Sequence, residues 1–135
     1  MSQPNLQITD AEWDVMEAVW ADDEQAAGEI IALVQASRDW NHRTIRTLLR
    51  RLVEKGAVTV RVDGSKHLYR AGVSKQECVR SATQSFTQRF FSGDVRSLLM
   101  HFVENEAISK EELDEIRRSL SNNKSSSTTK RKKGR

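Results

Sequence analysis

NHRTIRTLLRRLVEKG, Asn41 to Gly56, carries two patterns in one helix-length run. Its apolar residues Ile45, Leu48, Leu49, Leu52 and Val53 follow the i, i+3, i+4, i+7, i+8 spacing of a single helical stripe. Asn41 offers a side-chain oxygen to an otherwise orphan backbone N–H at the helix start. Gly56 can take the left-handed conformation past the helix end without a Cβ clash. Away from the stripe lie Arg43, Thr44, Arg46, Thr47, Arg50 and Arg51. Guanidinium and hydroxyl groups on the outer side of a short helix suit phosphates and base edges in a DNA major groove. A solvated basic face would use the same residues, so this helix alone does not choose between the two. Its neighbours do.

Upstream, Thr9-Asp10-Ala11-Glu12 forms a capping box, with Ile8 and Trp13 at hydrophobic-staple positions. It predicts a helix over 10–21 that buries Trp13, Met16, Val19 and Trp20. Asp22-Asp23-Glu24 ends that helix in an acidic turn, and a second helix over 26–36 offers Ile30, Ile31 and Val34. Ser37 to Trp40 connects it to the basic helix, where Trp40 and Ile45 repeat the staple. Three short helices in this order read as a helix-turn-helix. Downstream, Val58, Val60 and Val62 alternate with more polar residues at the strand period of two. Asp63-Gly64 signals a hairpin, and Ser65 to Arg70 supplies the return strand. A β-ribbon directly after the third helix is the wing of a winged helix, and its Arg61, Lys66 and Arg70 suit a phosphate backbone. One face of the ribbon is expected to cover the core.

Ser74-Lys75-Gln76-Glu77 is a second capping box, stapled by Val73 and Cys78, and opens a helix over 75–91 bearing Phe86, Phe90 and Phe91. Ser92-Gly93 breaks it. Asp94 then caps a helix with Val95, Leu98, Leu99, Phe102 and Val103 as its apolar residues. A third box, Ser109 to Glu112, starts a helix showing Leu113, Ile116 and Leu120. These helices are too few and too short to bury both their own stripes and the phenylalanines. An apolar surplus of this kind points to a second copy of the chain. The dimerisation residues expected are Phe86, Phe90, Leu98, Leu99, Phe102, Val103, Leu113 and Ile116. From Asn122 the chain is Ser, Thr, Lys and Arg with little else, a disordered tail that either adds affinity for DNA or aids solubility. The fold class expected is mostly α with a small β-wing. A winged helix-turn-helix occupies 1–72, a helical dimerisation region 73–123 and a basic tail 124–135.

Net charge is only +3, but it is segregated. Residues 1–37 hold eight acids and no Lys or Arg, whereas residues 38–70 hold nine bases and three acids. Such a directional field orients a polyanion on one face and repels it from the other. Enzyme chemistry finds no footing. His42, His67 and His101 lie on different elements, no Ser or Cys pairs with them as a nucleophile, and no Cys or His pair has metal-ligand spacing. No cofactor is expected. The single cysteine, Cys78, excludes an intrachain disulfide and fits a reducing cytoplasm. No apolar run suits a membrane span and the amino terminus lacks a signal-peptide layout, so a cytoplasmic protein without membrane insertion is expected.

Taken in order, ITDAEWDVMEAVW, DWNHRTIRTLLRRLVEKGAV, HLYRAGVS, SFTQRFFSGDVRSLLMHFVEN and ISKEELDEI resemble the penicillinase-repressor family of winged-helix repressors. The resemblance covers residues 6–120; the basic tail is no part of it. It implies a homodimeric repressor on double-stranded operator DNA, with contacts at Arg43, Thr44 and Thr47 flanked by phosphate binders. Arg43 would read a guanine or a phosphate, Thr44 and Thr47 base edges or thymine methyls, and Arg46, Arg50 and Arg51 phosphates. It also implies a membrane-bound sensor protease that cuts within LMHFVEN, between His101 and Phe102, and so lifts repression. The copper-responsive branch carries a cysteine-rich carboxy-terminal metal hook that this chain lacks, which sets it nearer the β-lactam-responsive branch. That branch has Asn before the Phe, where this chain has His101. Two other readings use the same basic face: a winged helix that docks an acidic protein partner, and a general chromosome-binding protein without sequence preference.

Overall fold

The computed structural model describes residues 6–134, with side chains as far as 123. The basic tail at 124–135, expected to be disordered, lies outside the fully described residues. In chain order the elements are α1 (Asp10–Trp20), β1 (Gln25–Ala26), α2 (Ala27–Gln35), α3 (His42–Lys55), β2 (Val58–Asp63), β3 (Lys66–Ala71), α4 (Lys75–Phe91), α5 (Val95–Glu104) and α6 (Lys110–Gly134). They form two compact units that divide between Phe86 and Thr87, inside α4.

In the first unit the helix ends are set by the residues the sequence offers for that purpose. The Thr9 hydroxyl accepts the Glu12 N–H at 3.1 Å, and the Glu12 carboxylate accepts the Thr9 N–H at 2.9 Å. The Asn41 side chain accepts the Thr44 N–H at 2.8 Å. At the other end of α3, Gly56 sits at φ 83°, and Gly56 and Ala57 return their N–H groups to Val53 and Leu52, each at 3.0 Å. That double closure is the Schellman motif, and it turns the chain sharply from α3 into β2.

The core collects Val15, Met16 and Val19 from α1, Ile30, Ile31 and Val34 from α2, and Ile45, Leu48, Leu49 and Leu52 from α3. Val58, Val73 and Cys78 close it. Burying each large apolar side chain stabilises the unit by about 1.5–3 kcal/mol before conformational entropy is charged against it. Trp13 and Trp20, expected inside, stand at the rim with their rings edge to face at 5.5 Å. Their indole N–H groups explain this, because each needs an acceptor: Trp20 donates to the Val73 carbonyl at 3.0 Å and Trp13 to Glu17 at 3.2 Å.

The sheet has three antiparallel strands in the order β1-β3-β2. β2 and β3 form the expected wing, joined through Gly64 and Ser65, with Asp63 paired to Lys66. Gly64, at φ 65°, takes the first turn position, where a type II′ connection needs positive φ. β1 is an addition to the sequence reading, which ran an acidic turn straight into the second helix. Two residues cannot display a period, and Gln25 and Ala26 become a strand only by pairing with Tyr69 and Leu68.

In the second unit, Ser92 at φ 51° and Gly93 at φ 82° break the chain after α4. The Asp94 carboxylate caps α5 by accepting the N–H groups of Arg96 and Ser97 at 3.1 and 3.4 Å. The Ser109–Glu112 box opens α6, its two bonds at 2.8 and 3.1 Å. No residue of α5 is buried. Phe90, Val95 and Leu120 are each more than half exposed, and Leu99 nearly so.

Candidate nucleic-acid interface

With Ile45, Leu48, Leu49 and Leu52 turned into the core, α3 presents its remaining surface outward. Arg43, Arg46, Arg50 and Arg51 are exposed there, with Thr44 beside them. The Thr47 hydroxyl donates to the Arg43 carbonyl at 3.0 Å, which uses its hydrogen and leaves its oxygen able to accept. His42, Arg43, Arg46, Thr47 and Arg50 together line an open groove of about 320 Å³. His42 is an addition to the residues expected at this surface. Its spacing of four from Arg46 is the signal that places it there.

The cations of this unit fall into two sets. Arg38 pairs with Asp14 at 3.0 Å and lies over the Trp40 ring, 5.7 Å from its centroid. Lys55 pairs with Glu12 and also donates to the Gln7 carbonyl at 2.7 Å. Lys75 pairs with Glu17 at 3.1 Å. Arg61 donates through Nε and a terminal nitrogen to both oxygens of Glu24, at 2.7 and 2.9 Å. By contrast, Arg43, Arg46, Arg50 and Arg51 make no ion pair with any described residue. Lys66 at the wing tip, Arg70 and Arg80 are likewise exposed and without an ion-pair partner among the described residues. The acids of the first 37 residues thus pair Arg38, Lys55, Arg61 and Lys75, none of which lines the groove, and leave the arginines of α3 available.

Glu12 is 2% exposed, and its burial opposes ionisation. Hydrogen bonds from Lys55 and from the Thr9 N–H outweigh that cost and hold its carboxyl below the usual glutamate value. Cys78 is fully buried, and burial pushes its thiol up, so it packs and does not react.

The residues expected at a dimer contact divide by exposure. Phe86, Phe90, Leu99, Phe102 and Ile116 are exposed, whereas Leu98, Val103 and Leu113 are half-buried. His101 meets Phe102 edge to face within α5, and its carbonyl accepts from the Asn105 N–H at 3.1 Å and the Asn105 side-chain amide at 2.8 Å. Among the described residues no group of His, Cys, Asp and Glu could hold a metal ion, and no helix is long and apolar enough to cross a membrane.

The sequence profile of the penicillinase repressors matches residues 8–122. The methicillin resistance regulatory protein MecI of Mammaliicoccus sciuri is 33% identical over 89% of this chain and 98% of its own length. The penicillinase repressor of Bacillus licheniformis is 31% identical over 87% of this chain and 92% of its own. Among solved structures, the solution structure of the DNA-binding domain of the repressor BlaI matches with a TM-score of 0.50 at 30% identity. It covers 57% of this chain and 93% of that domain. A winged helix whose α3 arginines are unpaired, with exposed apolar residues on the helices after it, accords with these matches, and the chain belongs to the penicillinase repressor family.

Proposed function

We propose that the chain is a dimeric transcriptional repressor that occludes a promoter by binding a pseudo-palindromic operator, with one α3 in the major groove of each half-site. The observation that carries this reading is the sorting of cations in the first unit. Carboxylates hold Arg38, Lys55, Arg61 and Lys75, while the arginines of α3 have none. An α-helix fits the major groove of B-DNA, and unpaired guanidinium groups supply both bidentate base contacts and phosphate contacts. Arg43, nearest the helix start, reads a guanine edge or a phosphate. Thr44 and Thr47 meet base edges or thymine methyls. Arg46, Arg50, Arg51 and Lys66 hold phosphates. The names of the relatives, as penicillinase repressor and resistance regulator, support the same role here.

Residues 73–123 serve dimerisation, with Phe86, Phe90, Leu99, Phe102 and Ile116 as the exposed apolar contacts and the half-buried Leu98, Val103 and Leu113 contributing to the same region. Release comes by cleavage between His101 and Phe102 through a membrane-bound sensor protease, which splits the α5 stripe. The His101 carbonyl is already hydrogen-bonded twice by Asn105, so α5 must open locally before the bond can be cut.

Selection from a pool of randomised duplexes tests the function. The expected product is an inverted repeat with half-sites one helical turn apart or a multiple of it. Recovery of duplexes with no common sequence would instead favour a general chromosome-binding protein. Failure to retain any duplex would favour docking of an acidic protein. Mass spectrometry of the chain from induced and uninduced cells tests release: a fragment ending at His101 is expected, and relief of repression with an intact chain excludes cleavage.

A further inference from the structure

Arg61 was expected to hold a DNA phosphate, yet its two donors are taken up by one carboxylate. Arg61, Leu68 and Ala26 are register partners in one row across the sheet, with β3 in the middle. Glu24 lies two residues before Ala26 and so returns to the same face. The Arg61 side chain reaches from β2 to Glu24 in the bend just before β1, tying one outer strand to the segment that leads into the other. Arg70, two residues from Leu68 on this face, adds its charge to the field at Glu24. The pairing holds the Glu24 carboxyl below its usual value and raises the Arg61 guanidinium further. Asp22 and Asp23 are exposed beside it and extend the acidic edge.

A fork-shaped guanidinium takes a carboxylate and a phosphate in the same bidentate manner, so Glu24 occupies the donors that a phosphate would use. Resting on the functional reading above, we propose that Glu24 is a built-in counter-anion that withholds Arg61 from the DNA backbone and so limits the wing's phosphate contacts. The wing then engages phosphate through Lys66 at its tip. An exposed ion pair contributes little to stability, so the pair alone does not bar exchange. The bar is what exchange leaves behind. A phosphate on Arg61 would stand against the released Glu24 carboxylate and against Asp63, whose charge also reaches Arg61, and like charges in that position repel. Sequence-independent affinity comes almost wholly from phosphate contacts. A withheld arginine therefore lowers binding to every sequence alike and makes it less salt-dependent, while base reading by α3 is untouched.

The salt dependence of binding to a mixed-sequence duplex reads this directly, because each phosphate contact adds about 0.9 to the slope of log affinity against log salt. Full-length chain, Glu24→Gln, Arg61→Gln and the double variant are compared, with thermal unfolding as the check on folding. Glu24→Gln is expected to tighten binding and steepen the slope by about 0.9 for each wing on the duplex. Arg61→Gln is expected to match the unaltered slope, and the double variant to return to it. If Arg61→Gln alone flattens the slope, Arg61 already holds a phosphate and the proposal is wrong. An unchanged slope in Glu24→Gln sinks it equally. Absence of salt-dependent duplex binding by the unaltered chain would remove the functional reading itself, a result distinct from either.

Discussion

Met16 and Leu99 both lie on short capped helices with apolar stripes, yet Met16 is fully buried and Leu99 is 48% exposed. The difference lies in what each helix has to pack against. In the first unit α1, α2 and α3 supply three stripes to one core, and the strands after α3 close it. In the second, α5 buries none of its residues, and the exposed apolar groups run on into α6 at Ile116 and Leu120. The first unit closes a core of its own although Leu33, Val62 and Val79 stay exposed, whereas the second buries no residue of α5, and its exposed Leu99, Phe102 and Ile116 are assigned to the proposed dimer. Charge divides similarly within the first unit, where carboxylates pair Arg38, Lys55, Arg61 and Lys75 and leave the four arginines of α3 unpaired.

Leu52→Ala should have the largest effect on this contrast. Its side chain is fully buried, and truncation of a core leucine costs about 2–5 kcal/mol, read as a lower urea midpoint for the first unit. An unmoved midpoint would mean that α3 is not the packed centre of the fold. Leu99→Ala, the matching truncation in the second unit, should leave that transition in place and act on association. Sedimentation should show a monomer at concentrations where the unaltered chain is a dimer, with operator affinity reduced because two half-sites are no longer bound as one. An unchanged dimer mass removes Leu99 from the interface.

The local devices of this fold were legible in the sequence because each is written within a few residues. The Thr9, Ser74 and Ser109 boxes, the Asn41 cap and the Gly56 stop all close bonds between near neighbours, and the residue types announce them. The outer face of α3 was legible for the same reason, since periodicity sorts a helix into faces. What escaped was pairing at a distance. Glu12 finds Lys55 across 43 positions and Glu24 finds Arg61 across 37, and nothing in either local pattern names the partner. β1 escaped likewise, because its strand character comes from β3.

Arg50→Ala should weaken binding to all duplexes by the same factor and reduce the salt slope by about 0.9 per lost phosphate contact. A loss confined to one sequence would reassign Arg50 to base reading. A smaller effect concerns acid. Because the native Glu12 carboxyl ionises below its usual value, its contribution is present above the ordinary glutamate range and is lost as pH falls through the depressed value. Glu12→Gln should therefore flatten the acid limb of the stability profile of the first unit. If the limb keeps its slope in Glu12→Gln, other carboxylates set it.

The most direct test of α3 as the reading surface is the ratio of affinities for the selected operator and a scrambled duplex at one fixed salt concentration, measured with the unaltered chain and with Arg43→Ala. A bidentate base contact is worth about 1–3 kcal/mol of discrimination, and a dimer makes it once in each half-site. The account predicts that Arg43→Ala lowers the ratio and relaxes preference at one position per half-site. Equal loss of affinity on both duplexes, with the ratio unchanged, would contradict it.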